Sequence, residues 1–499
     1  MRVPASLACL AAFAAAPLTA QVASAYVPLS HWAMPHVEHL IARGVVADPA
    51  PLTRPLRQTD LVHALEAADT TGLSPAERRV VRRIVTALAR PASGPSGRVD
   101  AHLSASAASY ANRDALRPVG QGHATVAGGL AVQLLLGPVA AVTHPYFDTR
   151  LKYDPEYFGK KDRAIAGRNA EAYLSGQWRY GELFFGALDR NWGAASLEGL
   201  LLSPAPYSYA HFGIALGTSR LRLEGVLTQL DDTADTAGAT VHRYLVTHRL
   251  IVRPSAVTTL ALWEGSLLAG TDRALEPWFA NILTLGLVAQ YDEGTSANSL
   301  LGVDVHSRIG RVRVFGSVLI DDIQVDDDTP GDAEPSSYGL TLGAQAALAG
   351  VAWTALYTRV SNLAYRTPSA AETWMRRNVG MARNYSDYDQ LSIRGSLLVG
   401  PGLLLAPEAT LLRQGEGDFR LPFPPVSAYD TTPTFLVGNP ERTLRLALAA
   451  QLDAGPLTVS GNGGVHVIRD AGHVRGRDET KWVGSLTVMY RLRFEGRIP

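Results

Sequence analysis

Cysteine, long hydrophobic runs and net charge are scarce or missing in this sequence. The one cysteine, Cys9, lies within the first 25 residues, so the rest of the chain has neither a disulfide nor a thiolate site. After residue 25 there is no run of 18 or more apolar residues, which excludes a membrane-spanning helix. The 46 basic and 46 acidic side chains cancel, so no electrostatic footprint for nucleic acid is expected.

Residues 1–25 have the pattern of a secretory signal peptide. Arg2 precedes an apolar run over 7–16, and small residues offer a cleavage site at 18–20 (Leu-Thr-Ala) or at 23–25 (Ala-Ser-Ala). A lipoprotein role for Cys9 is disfavoured because almost no apolar run precedes it. An exported chain that is rich in Leu and Val but has no spanning helix favours a β-barrel, since helices and closed barrels are the structures that satisfy the backbone in lipid.

The last segment, 480–494, alternates without a break. Trp482, Leu486, Tyr490 and Phe494 fall on one side of the predicted strand, and mostly polar residues fall on the other. Aromatic residues at both ends of an apolar face are typical of an outer-membrane strand, although a strand of a soluble sandwich can show the same alternation.

The rest of the chain after residue 96 repeats this pattern, with very short Gly/Pro turns on one side and long polar loops on the other. Short turns indicate hairpins, and the asymmetry is typical of outer-membrane barrels rather than sandwiches. We predict about eighteen strands, an even number as expected for a bacterial barrel. They lie near 99–110, 124–136, 138–147, 170–178, 181–189, 209–217, 219–230, 241–253, 256–268, 299–309, 311–321, 336–349, 351–363, 387–399, 401–414, 441–454, 456–469 and 480–494.

The apolar stretch 282–291 is not counted as a strand. A strand there would move the short turns of every later hairpin to the end of the barrel that carries the long loops. We interpret 275–291 as structure within a long external loop, a helix that folds into or over the lumen. The alternation also predicts a polar lumen with both signs of charge, lined by residues such as Arg222, Glu224, Arg394 and Arg445. A barrel of this size is wide enough for an aqueous channel unless the long loops plug it.

Residues 26–95 are predicted to form a small periplasmic helical bundle. Ser30 is the expected N-cap of a first helix that ends at Gly44. A second helix follows near 60–68, and Ser74-Pro75 with Glu77 begins a third. Its arginines, Arg78, Arg79, Arg82 and Arg83, form either a solvated basic face or a contact for an anionic polymer or headgroup.

Three motifs, taken in order along the chain, resemble the Wzi-type capsule assembly family of bacterial outer membranes. They are 188–193 (LDRNWG) followed by 199–203 (GLLLS), then 248–254 (HRLIVRP), and finally 299–304 (SLLGVD) with 318–322 (VLIDD). Asn191 stands where the family has a Trp, and Ala194-Ala195 where it has Pro-Gly. The resemblance implies an eighteen-stranded barrel with a periplasmic helical bundle. It also implies a non-catalytic role in holding or organising surface polysaccharide.

The helical segment also resembles an S-layer-homology module at 31–33 (HWA), 43–45 (RGV) and 52–54 (LTR). Such modules bind cell-wall polymers, so contact with peptidoglycan is an alternative to a purely structural bundle. Together these features predict an all-β transmembrane barrel over 96–499 after a signal peptide (1–25) and a helical domain (26–95). We expect a monomer that lies in the bacterial outer membrane and contacts its lipid.

Two groups of residues carry metal-ligating side chains, and the sequence does not favour a metal site at either. Clustered carboxylates can bind calcium, but this cluster lacks the 12-residue spacing of an EF-hand, so a solvated loop is preferred. The cluster comprises Asp321, Asp322, Asp326, Asp327, Asp328, Asp332 and Glu334. His242 and His248 lie on one strand, where a lumen-lining role is expected. No metal or cofactor is predicted.

Catalysis is not predicted either. A Ser-His-acid triad depends on geometry and not on sequence order, but no Gly-x-Ser-x-Gly marker is present.

Saccharide binding is the predicted chemistry. Flat aromatic rings suit the apolar face of a sugar, and planar hydrogen-bonding groups suit hydroxyls and carboxylates. The candidates on the predicted outer side are Arg190, Trp192, Trp278, Trp374, Arg376, Arg377, Tyr385 and Tyr388; packing of the loops is the competing interpretation for each. The sequence therefore predicts a surface-polysaccharide-binding assembly protein, with a diffusion channel for sugars or other small solutes as the alternative.

Overall fold

A computed structural model describes residues 22–89, 94–195, 197–235, 237–322, 334–400 and 402–497. Within these ranges eighteen long antiparallel strands form one closed barrel, which confirms the predicted number. Each strand pairs with the next along the chain, and the first pairs with the last from Ser96 opposite Arg497 to Ala108 opposite Ser485. The sheet therefore has no free edge, as a structure in lipid requires.

The strands are β1 (Ser96–Ala108), β2 (His123–Leu136), β3 (Val139–Asp148), β4 (Ala166–Trp178), β5 (Gly181–Ala187), β6 (Ala210–Gly217), β7 (Leu221–Gln229), β8 (Thr240–Val252), β9 (Thr258–Thr271), β10 (Asn298–Ile309), β11 (Val312–Asp322), β12 (Ser337–Leu348), β13 (Val351–Val360), β14 (Tyr388–Val399), β15 (Leu403–Gln414), β16 (Glu441–Ala454), β17 (Leu457–Arg469) and β18 (Glu479–Arg497). The predicted boundaries differ by a few residues, mostly where a strand bends into a loop.

The outward sides of the strands are apolar, as the alternation predicts. On β18, Trp482 is 78% exposed, Leu486 54% and Phe494 63%. Leu446 and Leu448 on β16 are exposed in the same way. Apolar side chains so arranged around a closed sheet form the lipid-facing band of a membrane barrel. Separately, none of the described helices is long and apolar enough to cross a bilayer.

Three helices precede the barrel: α1 (Met34–Ala42), α2 (Gln58–Glu66) and α3 (Pro75–Leu88). They share an apolar core that includes Val37, Leu40, Leu61 and Ile84. Before α3, Ser74 accepts a hydrogen bond from the Glu77 backbone N–H, and Glu77 accepts one from the Ser74 N–H, so the predicted capping box is present.

The beginning of α1 differs from the prediction. The helix begins at Met34, its N-cap is Ala33, and Ser30 lies in a preceding turn. Pro35 sits in the first turn, where its missing N–H costs nothing, and the helix starts three residues later than predicted. The end is as predicted, since Gly44 has a φ of 77° that suits a glycine after a helix.

The helical domain sits against the periplasmic end of the barrel. His36 Nε2 lies 2.8 Å from Asp453 Oδ2, and Arg57 Nη2 lies 2.5 Å from Glu182 Oε2. Arg83 donates to the backbone carbonyls of Asp453 and Gly455. The prediction for Arg83 was therefore wrong: its guanidinium joins the domain to a turn of the barrel, whereas Arg78, Arg79 and Arg82 are exposed.

Polypeptide enters the lumen from both ends. From the periplasmic side, Thr53–Arg54 forms a two-residue strand that pairs with Asn191–Trp192 from an extracellular loop. The Gly193 N–H donates to the Leu52 carbonyl at 2.9 Å. From the extracellular side, loops contribute a buried apolar cluster that contacts the inner wall, and it includes Trp192, Leu200, Leu201, Leu202, Tyr365, Trp374, Met381 and Phe419.

The remaining short elements lie in the loops. They are 3₁₀ turns at Thr149–Lys152, Ala370–Glu372, Val426–Thr431 and Ala471–His473, and two-residue strands at Thr233–Ala234, Met375–Arg376 and Val379–Gly380. Of the acidic cluster, Asp326, Asp327, Asp328 and Asp332 lie outside the described residues. The described Glu334 accepts a hydrogen bond from the Tyr429 hydroxyl.

The loop between β9 and β10 contains α4 (Pro277–Ala280) and α5 (Gly286–Glu293). A helix was predicted here, but its predicted position over the lumen was wrong. Phe279 packs with Val246 and Leu268 on the outward side of β8 and β9. That side is identified by Leu262, which is 56% exposed and pairs with Leu250. The loop therefore covers part of the outer wall.

His248 was also misplaced by the prediction. It lies two residues from Leu250 on β8 and so faces outward rather than into the lumen. Its neighbour across the strands, Glu264, faces outward too. Two polar side chains on a lipid-facing wall are costly unless covered, and the α4–α5 loop supplies that cover. The prediction for His242 was wrong in the same way, since it lies on the same side of β8 as His248; near the extracellular end of the strand, it lies 3.1 Å from Asp232.

Candidate saccharide-binding surface

The extracellular loops bring arginine, tyrosine and amide groups together at the mouth of the barrel. Five loops contribute: 109–122, 149–165, 188–209, 361–387 and 415–440. Because these loops follow strands from different parts of the barrel, only the closed sheet places their side chains side by side. We call the resulting set Arg113, Arg117, Glu156, Tyr207, Asn384, Tyr385 and Arg420 the mouth cluster.

Arg113 holds one side of the mouth cluster. Its guanidinium lies 4.0 Å from the centre of the Tyr207 ring, within the range of a cation–π contact. Its Nη2 lies 3.3 Å from Glu156 Oε2 and also donates to the Ala205 carbonyl. The side chain stays 29% exposed, so Arg113 is fixed in position yet open to solvent.

Glu156 and Asn384 connect that side to the other. Asn384 Nδ2 donates to Glu156 Oε1 at 3.1 Å, and Asn384 Oδ1 accepts from Arg420 Nη2 at 2.6 Å. Arg420 also pairs with Asp418 at 3.0 Å. Each planar group therefore has its orientation set by a neighbour, which lowers the entropy lost when a ligand binds.

Tyr385 lies between two guanidinium groups. Arg117 is 4.4 Å from the Tyr385 ring centre and 4.5 Å from that of Tyr388. Arg420 is 5.9 Å from the Tyr385 ring centre. Arginine pairs with carboxylates through two parallel hydrogen bonds and stacks on rings, so this arrangement suits a chain of sugars that carries carboxylates.

Burial raises the pKa values of two acidic groups in the mouth cluster, Tyr385 and Glu156. Burial raises the pKa of Tyr385 to about 12, so its hydroxyl remains neutral and can donate a hydrogen bond at neutral pH. Burial also raises the pKa of Glu156, while the nearby Arg113 opposes this change. The cluster thus presents cationic donors and a neutral phenol.

The residues predicted from the sequence are distributed over several regions. Trp192, Trp374 and Tyr388 are buried, at 3%, 1% and 3% exposure, and belong to the apolar cluster in the lumen. The Trp374 Nε1–H donates to the Leu201 carbonyl at 3.0 Å. These three side chains contact protein groups and are not open to a saccharide in this structure.

The other predicted residues remain partly accessible. Arg190 lies inside the barrel, where its Nε donates to His211 at 2.7 Å. Arg376 lies 5.4 Å from the Tyr209 ring centre, and the backbone N–H of Arg377 donates to Asp231. Trp278 lies on α4 against the outer wall and is half exposed. Tyr385 is the one of the eight that belongs to the mouth cluster.

Sequence reasoning missed the arginines of the mouth cluster. Arg113, Arg117 and Arg420 each lie in a long loop that the pattern identifies, but nothing local to a loop shows which other loops it meets. The useful signal was the order of the strands: in a closed barrel, the first and last hairpins are neighbours.

A second polar surface lines the lumen, as predicted. Arg222 and Glu224 pair at 2.8 Å, and Arg394 lies 3.5 Å from Glu408. The Arg394 side chain is 38% exposed. The inner wall therefore carries both signs of charge, some of it accessible to solvent.

Comparisons with known proteins identify the fold. No protein-family model matches the sequence, and no curated protein matches it. Among solved structures, the chain resembles Wzi of Escherichia coli with a TM-score of 0.64 at 13% identity, covering 95% of this chain and 100% of that one. That protein is described as an outer-membrane protein involved in group 1 capsule assembly and as a carbohydrate-binding β-barrel.

Two further structures match over less of the chain. Pseudomonas aeruginosa OprD has a TM-score of 0.46 at 12% identity, covering 80% of this chain and 96% of OprD. Acinetobacter baumannii OccAB4 has a TM-score of 0.47 at 9% identity, covering 81% of this chain and 99% of OccAB4. The likeness to Wzi confirms the predicted resemblance at the level of fold. This fold and the apolar outer wall place the protein in the bacterial outer membrane.

Proposed function

We propose that this outer-membrane barrel binds or organises a surface or capsular polysaccharide and does not catalyse a reaction on it. The observation that carries the proposal is the mouth cluster. In it, three arginines, two tyrosines, a glutamate and an amide from five loops are held in one network above a lumen filled by polypeptide. The likeness of the fold to a carbohydrate-binding barrel supports the same function.

The chemistry of the cluster favours a polymer that carries carboxylates. Arg113, Arg117 and Arg420 offer planar donors, and the rings of Tyr207 and Tyr385 hold Arg113 and Arg117 in position by stacking against them. A long polymer can contact several such groups at once, so weak individual contacts add up. A neutral polymer has no carboxylate for the guanidinium groups, which would keep their present partners.

The test is binding of defined polymers to the purified protein in detergent. Polygalacturonate serves as the acidic probe and dextran as the neutral one, alongside polysaccharide extracted from the producing cells. We expect retention of the cell-surface polysaccharide and preference for polygalacturonate over dextran. Arg117→Ala and Tyr385→Ala should each weaken binding about ten-fold, the effect of one lost charge-assisted contact.

The matched control is Arg179→Ala. Arg179 also lies over a tyrosine, 5.0 Å from the Tyr180 ring centre, but in a short turn at the periplasmic end. The Arg179→Ala protein should bind the polymers with the same affinity as wild type. No retention of any of the three polymers by the wild type, or equal losses in Arg117→Ala and Arg179→Ala, would refute the proposal.

A diffusion channel for small solutes is the competing function, and the charged, partly exposed inner wall is the observation that favours it. Planar-bilayer recordings distinguish the two. A barrel whose lumen is filled from both ends should give no stable open steps, whereas steady steps of porin size with no polymer binding would favour the channel.

We also propose that the helical domain contacts peptidoglycan. Arg78, Arg79 and Arg82 are exposed on α3 and would meet an anionic polymer in the periplasm. Co-sedimentation with purified sacculi tests this. If the variant with all three changed to Gln no longer sediments, the contact is supported. If wild type sediments no more than a barrel protein without such a domain, the bundle is purely structural.

A further inference from the structure

A cavity lies on the outer wall of the barrel, beneath the α4–α5 loop. Its volume is about 300 Å³, at the lower end of the range for small-molecule sites. Phe212 and Ile214 of β6, Gly225 of β7 and Ile282 of the loop form apolar walls. Phe212 is 42% exposed and shares the outward side of β6 with Leu216. The cavity therefore faces the hydrocarbon around the barrel and not the lumen.

Three polar residues, Thr247, Asn281 and His248, line this cavity. Thr247 Oγ1 donates to the Val226 carbonyl, and the exposed Asn281 accepts from the Leu283 N–H through its Oδ1. His248 is the buried polar side chain on the outward side of β8. It is 7% exposed. Its Nδ1 lies 2.9 Å from Glu264 Oε1. Its Nε2 is buried and has no hydrogen-bond partner among the described residues. A buried nitrogen without a partner costs free energy in an apolar setting, so this atom is expected to meet a ligand group.

The neighbours of His248 determine what that group must be. Both oxygens of Glu264 accept from the Gly286 N–H at the start of α5, at 2.8 and 2.9 Å. The Glu264 carboxylate is an acceptor for both the Gly286 amide and the His248 imidazole, so the imidazole proton lies on Nδ1. In the neutral ring Nε2 is then an acceptor. The cavity thus offers apolar walls and, at His248 Nε2, one buried hydrogen-bond acceptor without a partner among the described residues.

We propose that this cavity binds one acyl chain of an outer-membrane lipid, and that a hydroxyl on the chain donates to His248 Nε2. Lipid is the molecule that surrounds this side of a membrane barrel, and a hydroxylated chain supplies both the apolar body and the donor. The loop surface beside the cavity is apolar as well: Leu283 is 80% exposed, Leu285 62% and Val288 56%. The α4–α5 loop acts as the cover of a lipid site.

Gly225 gives a way to close the cavity without touching the imidazole. A Cβ added at Gly225 would lie 2.6 Å from Ile282 Cγ2 and 3.3 Å from Ile214 Cγ2, so we expect a larger side chain to push Ile282 aside and to occupy part of the cavity. The matched control is Gly176, which faces outward beside Leu174 on β4. A Cβ at Gly176 would have no heavy atom of the described residues within 4 Å.

The experiment measures binding of a matched pair of esters, methyl 3-hydroxytetradecanoate and methyl tetradecanoate, to delipidated full-length protein in maltoside micelles. Wild type should bind one hydroxylated ester per chain and prefer it about ten-fold over the plain ester, the size of one buried hydrogen bond. Gly225→Leu should bind neither ester. Gly176→Leu should bind both esters as wild type does. His248→Phe should bind both esters equally.

Heat-modifiable mobility on a gel reports whether each variant is a folded barrel. Should Gly225→Leu not fold, Ile282→Trp fills the same cavity from the loop side and carries the same expectation. The proposal is overturned if wild type binds neither ester, if folded Gly225→Leu binds as wild type does, or if His248→Phe keeps the preference for the hydroxyl. A dimer that buries this face and excludes both esters also overturns it.

Discussion

Thr53 and Trp192 lie opposite each other in a short antiparallel strand pair inside the barrel. Thr53 comes from the segment that rises out of the helical domain, and Trp192 from a loop that descends from the extracellular side. The two ends of the lumen are therefore joined by backbone hydrogen bonds, and an opening would require this pair to separate.

Arg249 is the side chain that holds this pair, and its removal should open the lumen. It is 1% exposed, and its guanidinium donates to the Leu52 carbonyl at 2.8 Å and to Thr53 Oγ1 at 3.0 Å. It also pairs with Asp304 at 3.4 Å. Arg249→Ala leaves that carboxylate buried without its cation, which we expect to destabilise the barrel by about 3–5 kcal/mol.

Planar-bilayer recordings and thermal unfolding in detergent check this prediction. Wild type should be silent, and Arg249→Ala should show brief open steps and a lower Tm. Arg311→Ala, which changes an exposed arginine in the turn between β10 and β11, should behave as wild type. Silent recordings together with an unchanged Tm for Arg249→Ala would mean that the strand pair does not depend on this side chain.

The contrast between what the sequence predicted and what it missed has a physical cause. Strand alternation is a local property of period two, so it identified all eighteen strands and the polar inner residues such as Arg445. The pairing of Thr53 with Trp192 is not local, because it depends on how two loops meet after the barrel closes. His248 lies two residues from Leu250, so strand alternation puts both on the same side. We predicted a lumen position for His248 because the residue is polar, and this prediction was wrong.

Arg83 should be required for docking of the helical domain. It donates to the carbonyls of Asp453 and Gly455, at 2.9 and 2.8 Å, and lies over Trp32. Arg83→Ala removes both hydrogen bonds, and we expect limited proteolysis to release the domain several-fold faster. Arg79→Ala changes an exposed arginine on the same helix and should leave the rate unchanged; equal rates for the two variants would contradict the docking role.

Acid should weaken the helical domain through His39. Burial and the nearby Arg43 lower the pKa of His39 to about 4, from 6.5 in the unfolded chain. The unfolded state therefore takes up a proton first as the pH falls. Stability is complete above pH 6.5 and declines toward pH 4, by a total of about 3 kcal/mol.

Pulse proteolysis of the full chain in urea at pH 7.5 and at pH 5 measures this loss. His39→Gln should reduce the difference between the two pH values, because glutamine cannot take up the proton. Part of the difference should remain, since burial and the nearby Arg493 also lower the pKa of His31, to about 3. His63→Gln, at an exposed position on α2, should keep the difference seen in wild type. If His39→Gln retains the full dependence on pH, another group is responsible for it.

We predict a secretory signal peptide within residues 1–25, and the contacts of residues 23–25 favour one of its two predicted cleavage sites. The Ala23 N–H donates to the Gly137 carbonyl at 2.8 Å. Ser24 exchanges two hydrogen bonds with the buried side chain of Gln177, at 2.9 and 2.8 Å, and its Oγ accepts from the Thr59 N–H. Cleavage after Ala25 would remove all of these contacts and leave the amide of Gln177 short of partners.

Cleavage after Ala20 preserves them, so we predict a mature chain that begins at Gln21. The intact mass of protein purified from the outer membrane decides between the two sites. Ala20→Leu should cause uncut precursor to accumulate, since the cleavage site needs a small residue, whereas Ser24→Ala should be cut at the same place and lose about 1 kcal/mol of stability from the missing hydroxyl. A mature chain that begins at Tyr26 would show that the Ser24–Gln177 contacts are dispensable for the folded barrel.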